Sequence, residues 1–164
     1  MNMGQAAQQV EPVAAQSVTV RELAESDREA MLAMYRGFDP LGAAQGLPPV
    51  SEHGRCKWIA NMLADAINFG AFDENDRFIG HVILAGSGPA EMEVAFFVHQ
   101  NFRRRRVGTK LLSHAVAHAS GQGARRLWAS VTSDNVPSLR LLRGQGFRES
   151  SFTVPTLELE LLIS

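Results

Sequence analysis

The chain has 164 residues, 45% hydrophobic and 20% charged, with a net charge of −1, the ordinary mix of one globular domain with a real core. No apolar run approaches the roughly 20 residues of a membrane helix, and the near-neutral balance argues against a general nucleic-acid surface. The charge is uneven, however: residues 1–100 hold 6 basic and 13 acidic side chains, whereas residues 101–148 hold 10 basic and one acidic, which points to a local anion site.

Residues 1–16 carry no Lys or Arg and no apolar core. They read as a flexible leader, not a secretory signal, ahead of a single domain at 17–164. Ser17 to Leu23 alternates and predicts a strand. Ser26 with Glu29 three positions on forms a capping-box pattern, and Met31, Met34, Tyr35 and Phe38 follow at helical spacing up to a stop near Gly37. Asp39 to Gly54 is rich in Gly and Pro and predicts a loop. Cys56 to Asn68 puts Trp58, Ile59, Met62, Leu63, Ala66 and Ile67 on one face of a second helix. Two strands should then flank a turn at Asp73 to Asp76. Met92 to Val98 is an apolar run expected to be buried on both faces.

A third helix should carry Val107, Leu111, Leu112, Ala115, Val116 and Ala119 on its inner face and end at Gly121 and Gly123. Arg125 to Val131 predicts a strand. Pro137 marks the first turn of a fourth helix containing Leu139, Leu141 and Leu142, stopped by Gly144 and Gly146. Leu157 to Ile163 alternates as an edge or half-covered strand would. The order β-α-α-β-β-β-α-β-α-β-β implies an α/β (α+β) fold, a mixed sheet covered by helices. The lone Cys56 excludes an internal disulfide, fits a reducing cytoplasm and is read as a small apolar residue.

The chemistry concentrates in "VAFFVHQNFRRRRVGTKLL", Val94 to Leu112. Four arginines precede a helix whose first N–H groups have no internal acceptor and sit at the positive end of the dipole. Cations are unfavourable there by about 0.3–1 kcal/mol each, so an anionic ligand is expected to offset them. Gly108 would permit close backbone approach, Thr109 would add a hydroxyl, and the arginines would grip phosphate oxygens.

"EVAFFVHQNFRRRRVGTKLLSHAV" followed by "SVTSDNVPSLRLLRGQGF" resembles the acetyl-CoA core of the GNAT acyltransferases. Their [RQ]-x-x-G-x-[GA] signature falls on Arg103, Arg104, Arg105, Arg106, Val107 and Gly108. Their second marker, an Asn and then a Gly-Phe pair, falls on Asn135, Gly146 and Phe147. The resemblance covers roughly residues 18–163. It implies a mostly antiparallel central sheet flanked by about four helices and splayed between its fourth and fifth strands. It also implies acetyl-CoA as cosubstrate. Main-chain groups near Phe96, Phe97 and Val98 would bond the pantetheine, the turn from Arg103 to Thr109 would hold the pyrophosphate, Asn135 would reach the pantetheine arm, and Ser138 and Leu142 would line the cleft. Arg106 stands where the family usually has its first glycine, and Leu142 where many members have a tyrosine that protonates the thiolate.

Glu93 is similar in position to the base of some GNAT enzymes, notably bacterial protein-lysine acetyltransferases, with Glu91 in reserve; a carboxylate on an apolar strand is open to a desolvation-raised pKa. The expected activity is acetyl-CoA-dependent N-acetylation of a primary amine by direct attack in a ternary complex. The alternative is a CoA-binding or regulatory module on the same fold. The acceptor is a small molecule, a protein lysine or an N-terminus. No nucleic acid, membrane or metal partner is expected: the arginines lack interleaved aromatics, and His114 and His118 form only half of a zinc site. Asp39, Glu52, His53 and His99 are lesser acceptor-side candidates, Trp58 and Trp128 are read as core aromatics, and the chain is expected to be a monomer or homodimer.

Overall fold

Asp27, not Ser26, organises the start of the first helix. Its carboxylate accepts from the Ala24 amide at 2.9 Å and takes Arg21 bidentately at 2.8 and 3.0 Å. A single 3-10 turn over Glu25–Asp27 therefore precedes the helix, and the Ser26–Glu29 capping box does not form. The computed structural model describes residues 17–42 and 46–164, the Ser87 side chain excepted; the leader expected at 1–16 lies outside the described residues. The elements are β1 (Thr19–Glu22), α1 (Arg28–Arg36), α2 (Glu52–Asp65), β2 (Ile67–Phe72), β3 (Phe78–Gly88), β4 (Glu91–Val98), α3 (Val107–Gly121), β5 (Arg126–Thr132), α4 (Val136–Gly144), β6 (Arg148–Thr153) and β7 (Thr156–Leu162). This is the element order expected from the sequence.

The second helix begins earlier than expected. Ser51 caps α2 by accepting from the Gly54 amide at 3.1 Å, so His53 and Gly54 are helical. Gly54 reads as a breaker in the sequence, yet a Cβ there would stand 2.8 Å from the Ser51 hydroxyl oxygen, and glycine leaves room for the cap. The helix also ends earlier. Asn68 Nδ2 donates to the carbonyls of Met62 and Ala66, both at 2.8 Å, satisfying groups that the last turn leaves open. Ile67 therefore starts β2 instead of continuing the helix.

The seven strands form one sheet in the order β1-β2-β3-β4-β5-β7-β6. Every pairing is antiparallel except that of β4 with β5. β7 is not an edge strand: it inserts between β5 and β6, and β6, exposed along its length, forms the edge. Only Leu159 of β7 is buried, so the half-covered part of the expectation holds.

β4 divides the molecule into two cores. Met92, Val94, Phe96 and Val98 join the cluster beneath α3 and α4, together with Leu111, Leu112 and Leu142. Ala95 and Phe97 join the cluster beneath α1 and α2, with Tyr35 and Ile59. The expected burial on both faces is thus incomplete: Ala95, Phe96 and Val98 are only half-buried, because β5 leaves β4 at that end. Among the described residues, no helix is long and apolar enough to cross a membrane.

Candidate active site

Parallel pairing between β4 and β5 joins Glu91 to Arg126, Met92 to Leu127 and Glu93 to Trp128, and goes no further. From Val94 to Val98, β4 has β3 on one side and an open gap on the other. The His99 amide donates to Ile79 of β3 at 3.0 Å. Main-chain groups alternate in direction along a strand, so those of Phe97 turn to β3 and those of Phe96 and Val98 face the gap. Of the three residues expected to offer main-chain groups, Phe96 and Val98 are placed to do so, and Phe97 contributes its ring instead.

The gap runs toward the arginine turn. Residues 103–106 are exposed, and α3 starts at Val107, with its ladder bond from Lys110 N–H to the Arg106 carbonyl at 3.0 Å. Arg104 and Arg106 both adopt left-handed backbone, at φ 61° and 62°. Arg106 thus holds the conformation that glycine supplies most cheaply, and its side chain stays in solvent. Arg103 already has work: Nε donates to the Val98 carbonyl at 2.9 Å and Nη2 to the Asp39 carbonyl at 2.5 Å. Arg105 stacks over Phe102. A Cβ on Gly108 would come within 2.9 Å of Leu141 Cδ2, so glycine lets α3 and α4 approach closely.

Asn135 caps α4, its side-chain oxygen accepting from the Ser138 amide at 3.3 Å, and Ser138 is half-exposed behind it. Leu142, expected to line the cleft, is instead fully buried in the main core; half-buried Leu141, against Gly108, holds the equivalent edge. A helix exposes one of two adjacent positions and buries the other, and only packing decides which.

On the α1/α2 face a cavity of about 190 Å³ opens against β4, with Glu93 among its lining residues. Burial pushes the Glu93 carboxyl above the ordinary range, and the negative charge of Glu158 adds to the effect. The reserve candidate Glu91 is exposed and lies 3.6 Å from Arg126. Arg126 also binds Glu158 at 2.9 Å and Glu160 at 2.6 Å. Sequence reading missed this cluster, because alternating charges on β5 and β7 become neighbours only once their register is fixed.

The remaining candidates separate clearly. Glu52 is ion-paired with Arg36, at 3.0 Å from Nε, which also holds its carboxyl below the usual range. Gln100 anchors the start of the α1–α2 loop, donating to the Gly37 carbonyl at 2.6 Å and accepting from the Asp39 amide at 3.1 Å. His99 accepts from the Asn101 amide at 3.3 Å. His53 is exposed on α2. His114 and His118 set their rings edge-on to Phe69, at 4.7 and 5.0 Å. Trp58 is a cavity wall as well as a core residue, and Trp128 stands half-exposed on the open face of the sheet.

One buried network had no clear sequence signal. The Tyr35 hydroxyl lies 2.7 Å from His81 Nδ1, and His81 Nε2 lies 2.9 Å from Asn68 Oδ1. Asn68 spends its NH2 group on two carbonyls, so Oδ1 accepts. His81 therefore donates through Nε2 and accepts the tyrosine proton at Nδ1. Burial lowers its pKa to about 3, which keeps the ring neutral.

Comparison with known proteins agrees with this geometry. Residues 31–147 match the family model described as "Acetyltransferase (GNAT) family". The Bacillus subtilis (strain 168) protein named "Putative phosphinothricin acetyltransferase YwnH" is 28% identical over 138 residues, covering 80% of this chain and 85% of that one. The solved GNAT domain of S. lividans PAT superposes with a TM-score of 0.76 at 22% identity, over 93% of this chain and 99% of its own. A phosphinothricin acetyltransferase from Sinorhizobium meliloti, solved in complex with AcCoA, gives 0.73 at 20% identity, over 90% of this chain and 89% of its own. The structural likenesses show the fold; the family match spans both the arginine turn and the Gly146–Phe147 pair, and the protein therefore belongs to the GNAT family of acetyltransferases.

Proposed function

We propose that the chain transfers an acetyl group from acetyl-CoA to a primary amine by direct attack within a ternary complex. The observation that carries this reading is the end of the β4–β5 pairing at Glu93, which also lines a cavity, with the arginine turn following the far end of the same strand.

The donor set fits the coenzyme. The main-chain groups of Phe96 and the Val98 amide, which face away from β3, match pantetheine amides, and the first amides of α3 with the exposed Arg104, Arg105 and Arg106 match a pyrophosphate. Thr109, Val107 and Gly108 complete that turn, while Arg103 acts mainly by shaping it. Asn135 and Ser138, at the N-terminal end of α4, are the residues this reading assigns to the pantetheine arm and the cleft wall.

The coenzyme supplies a thioester. An alkylamine is mostly protonated near neutrality, so Glu93 accepts a proton from the ammonium and releases the nitrogen lone pair. The amine nitrogen then bonds the acetyl carbon and the carbon–sulfur bond breaks, its electron pair leaving on sulfur. The second amine proton is passed to solvent, and water returns one to the thiolate, because neither Leu141 at the edge of the gap nor buried Leu142 offers an acid. A main-chain N–H of β4 facing the gap polarises the carbonyl. The single Cys56 and the absence of a membrane-long apolar helix among the described residues support a cytoplasmic location.

The test is incubation with acetyl-CoA and a panel of amines while free thiol is followed, with calorimetric titration of coenzyme A alongside. Amine-dependent thiol release supports the reading. Coenzyme binding without release on any amine supports a regulatory module, and no heat of binding removes both.

A further inference from the structure

We infer that the cavity selects an amine carried on an uncharged apolar stem, and disfavours amines that also carry a carboxylate or another anion. This deepens the proposed function and rests on Glu93 facing the acceptor.

The described lining comprises Trp58, Met62, Ile83, Ala85, Ala95 and Phe97, together with Gly46 and Glu93. One of these eight is charged, and it is an acid. An acceptor anion in this space would lose water against apolar walls and meet a carboxylate. Three arginines of the flanking elements already have acceptors. Arg126 serves Glu91, Glu158 and Glu160; Arg36 serves Glu52; and one Arg55 nitrogen donates to the carbonyls of Pro49 and Val50.

An ammonium arriving on an apolar stem meets the opposite conditions. Glu93 attracts it, and Trp58 and Phe97, edge to face with centroids 5.7 Å apart, present aromatic surface that tolerates a cation. The volume, about 190 Å³, lies below the roughly 300–1,000 Å³ of drug-sized sites, so the stem is short. Phosphinothricin, for which several relatives are named, bears a carboxylate and a phosphinate besides its amine, and the described lining offers no cation to either. The reaction keeps its balance: the amine becomes the acetamide, and the thioester becomes coenzyme A thiol.

The experiment compares kcat/KM of the full chain for hexylamine, phenethylamine and a neutral lysine peptide against glutamate and phosphinothricin, at fixed acetyl-CoA. The first group is expected to exceed the second at least 100-fold; the peptide and small-amine arms distinguish a side chain from a free amine, and either winning supports the inference. Equal or better turnover of the carboxylated amines overturns it. Coenzyme binding with no turnover of any of the five overturns it together with the transfer reading, and loss of coenzyme binding removes the coenzyme site as well, whereas turnover that favours the carboxylated amines overturns this inference alone. Met62→Arg, on the partly exposed rim, should shift the glutamate-to-phenethylamine ratio at least 10-fold toward glutamate with coenzyme affinity unchanged; an unmoved ratio in a variant that still binds coenzyme counts against the inference.

Discussion

Glu93 stands opposite Trp128 at the last register position that β4 and β5 share. One step further along, the strands part. The carboxylate therefore sits where a buried strand becomes the wall of a gap, which is why its surroundings raise its pKa while its side chain still faces a cavity.

Glu93→Gln is expected to reduce kcat about 10²–10⁴-fold, the usual contribution of a positioned base, with little change in coenzyme affinity. In the wild type, kcat/KM should fall as pH falls through the raised Glu93 pKa, since the protonated form cannot accept. Glu158→Gln removes a neighbouring negative charge and lowers that pKa, so the acid limb should move to lower pH. A pH–rate profile of each variant checks both statements; an unmoved limb in Glu158→Gln would break the link.

Arg106 pays for a left-handed backbone at φ 62°. That conformation costs an L-residue about 1–2 kcal/mol, against about 0.5–1 kcal/mol of extra chain entropy for glycine. Arg106→Gly should therefore stabilise the fold by about 0.5–1 kcal/mol, a rise in Tm of about 1–4 °C. The same change removes one guanidinium, so coenzyme affinity should fall and depend less steeply on salt. Thermal melts and calorimetry at two ionic strengths measure the two effects separately.

His81 makes stability depend on pH. Its pKa is about 3 in the fold against 6.5 when unperturbed, so between these values the unfolded chain takes up a proton that the folded chain refuses. This contribution is complete above pH 6.5 and is lost as pH falls, at about 1.4 kcal/mol per pH unit. His81→Gln should flatten the fall of Tm with acid over that window. Tyr35→Phe should cost about 1–3 kcal/mol at neutral pH by leaving Nδ1 without its donor, read from denaturant melts.

Arg103 fastens the carbonyl of Asp39, on the α1–α2 loop, to that of Val98, at the end of β4. Arg103→Ala is expected to cost about 0.5–1.5 kcal/mol per bond lost and to speed hydrogen exchange at the loop amides of residues 37–42. Because that loop leads to the acceptor cavity through Gly46, KM for the amine should rise more than KM for acetyl-CoA. Equal effects on both would assign Arg103 to the coenzyme instead.

Element types and their order were legible in the sequence, because hydrophobic periodicity reports which face is buried whatever lies opposite. The arginine turn was legible too: four cations before a helix N-terminus are locally unfavourable, and Gly108 marks a close approach. The chain's own local chemistry determined these. The caps of Ser51 and Asp27 are local contacts as well, ones that the reading of Gly54 and Ser26 passed over. Tertiary structure decided the rest. The place of β7 inside β6 is tertiary. Packing buried Leu142 and left Leu141 at the edge of the gap. Register brought Glu93, Arg126 and Glu158 together from three strands, and the packing of α1 on the sheet set Tyr35 against the buried His81–Asn68 pair. The Glu93–Arg126–Glu158 and Tyr35–His81–Asn68 groupings lie within no single helical turn or strand repeat, so no local pattern could encode them; they follow from which elements become neighbours when the two cores close on β4.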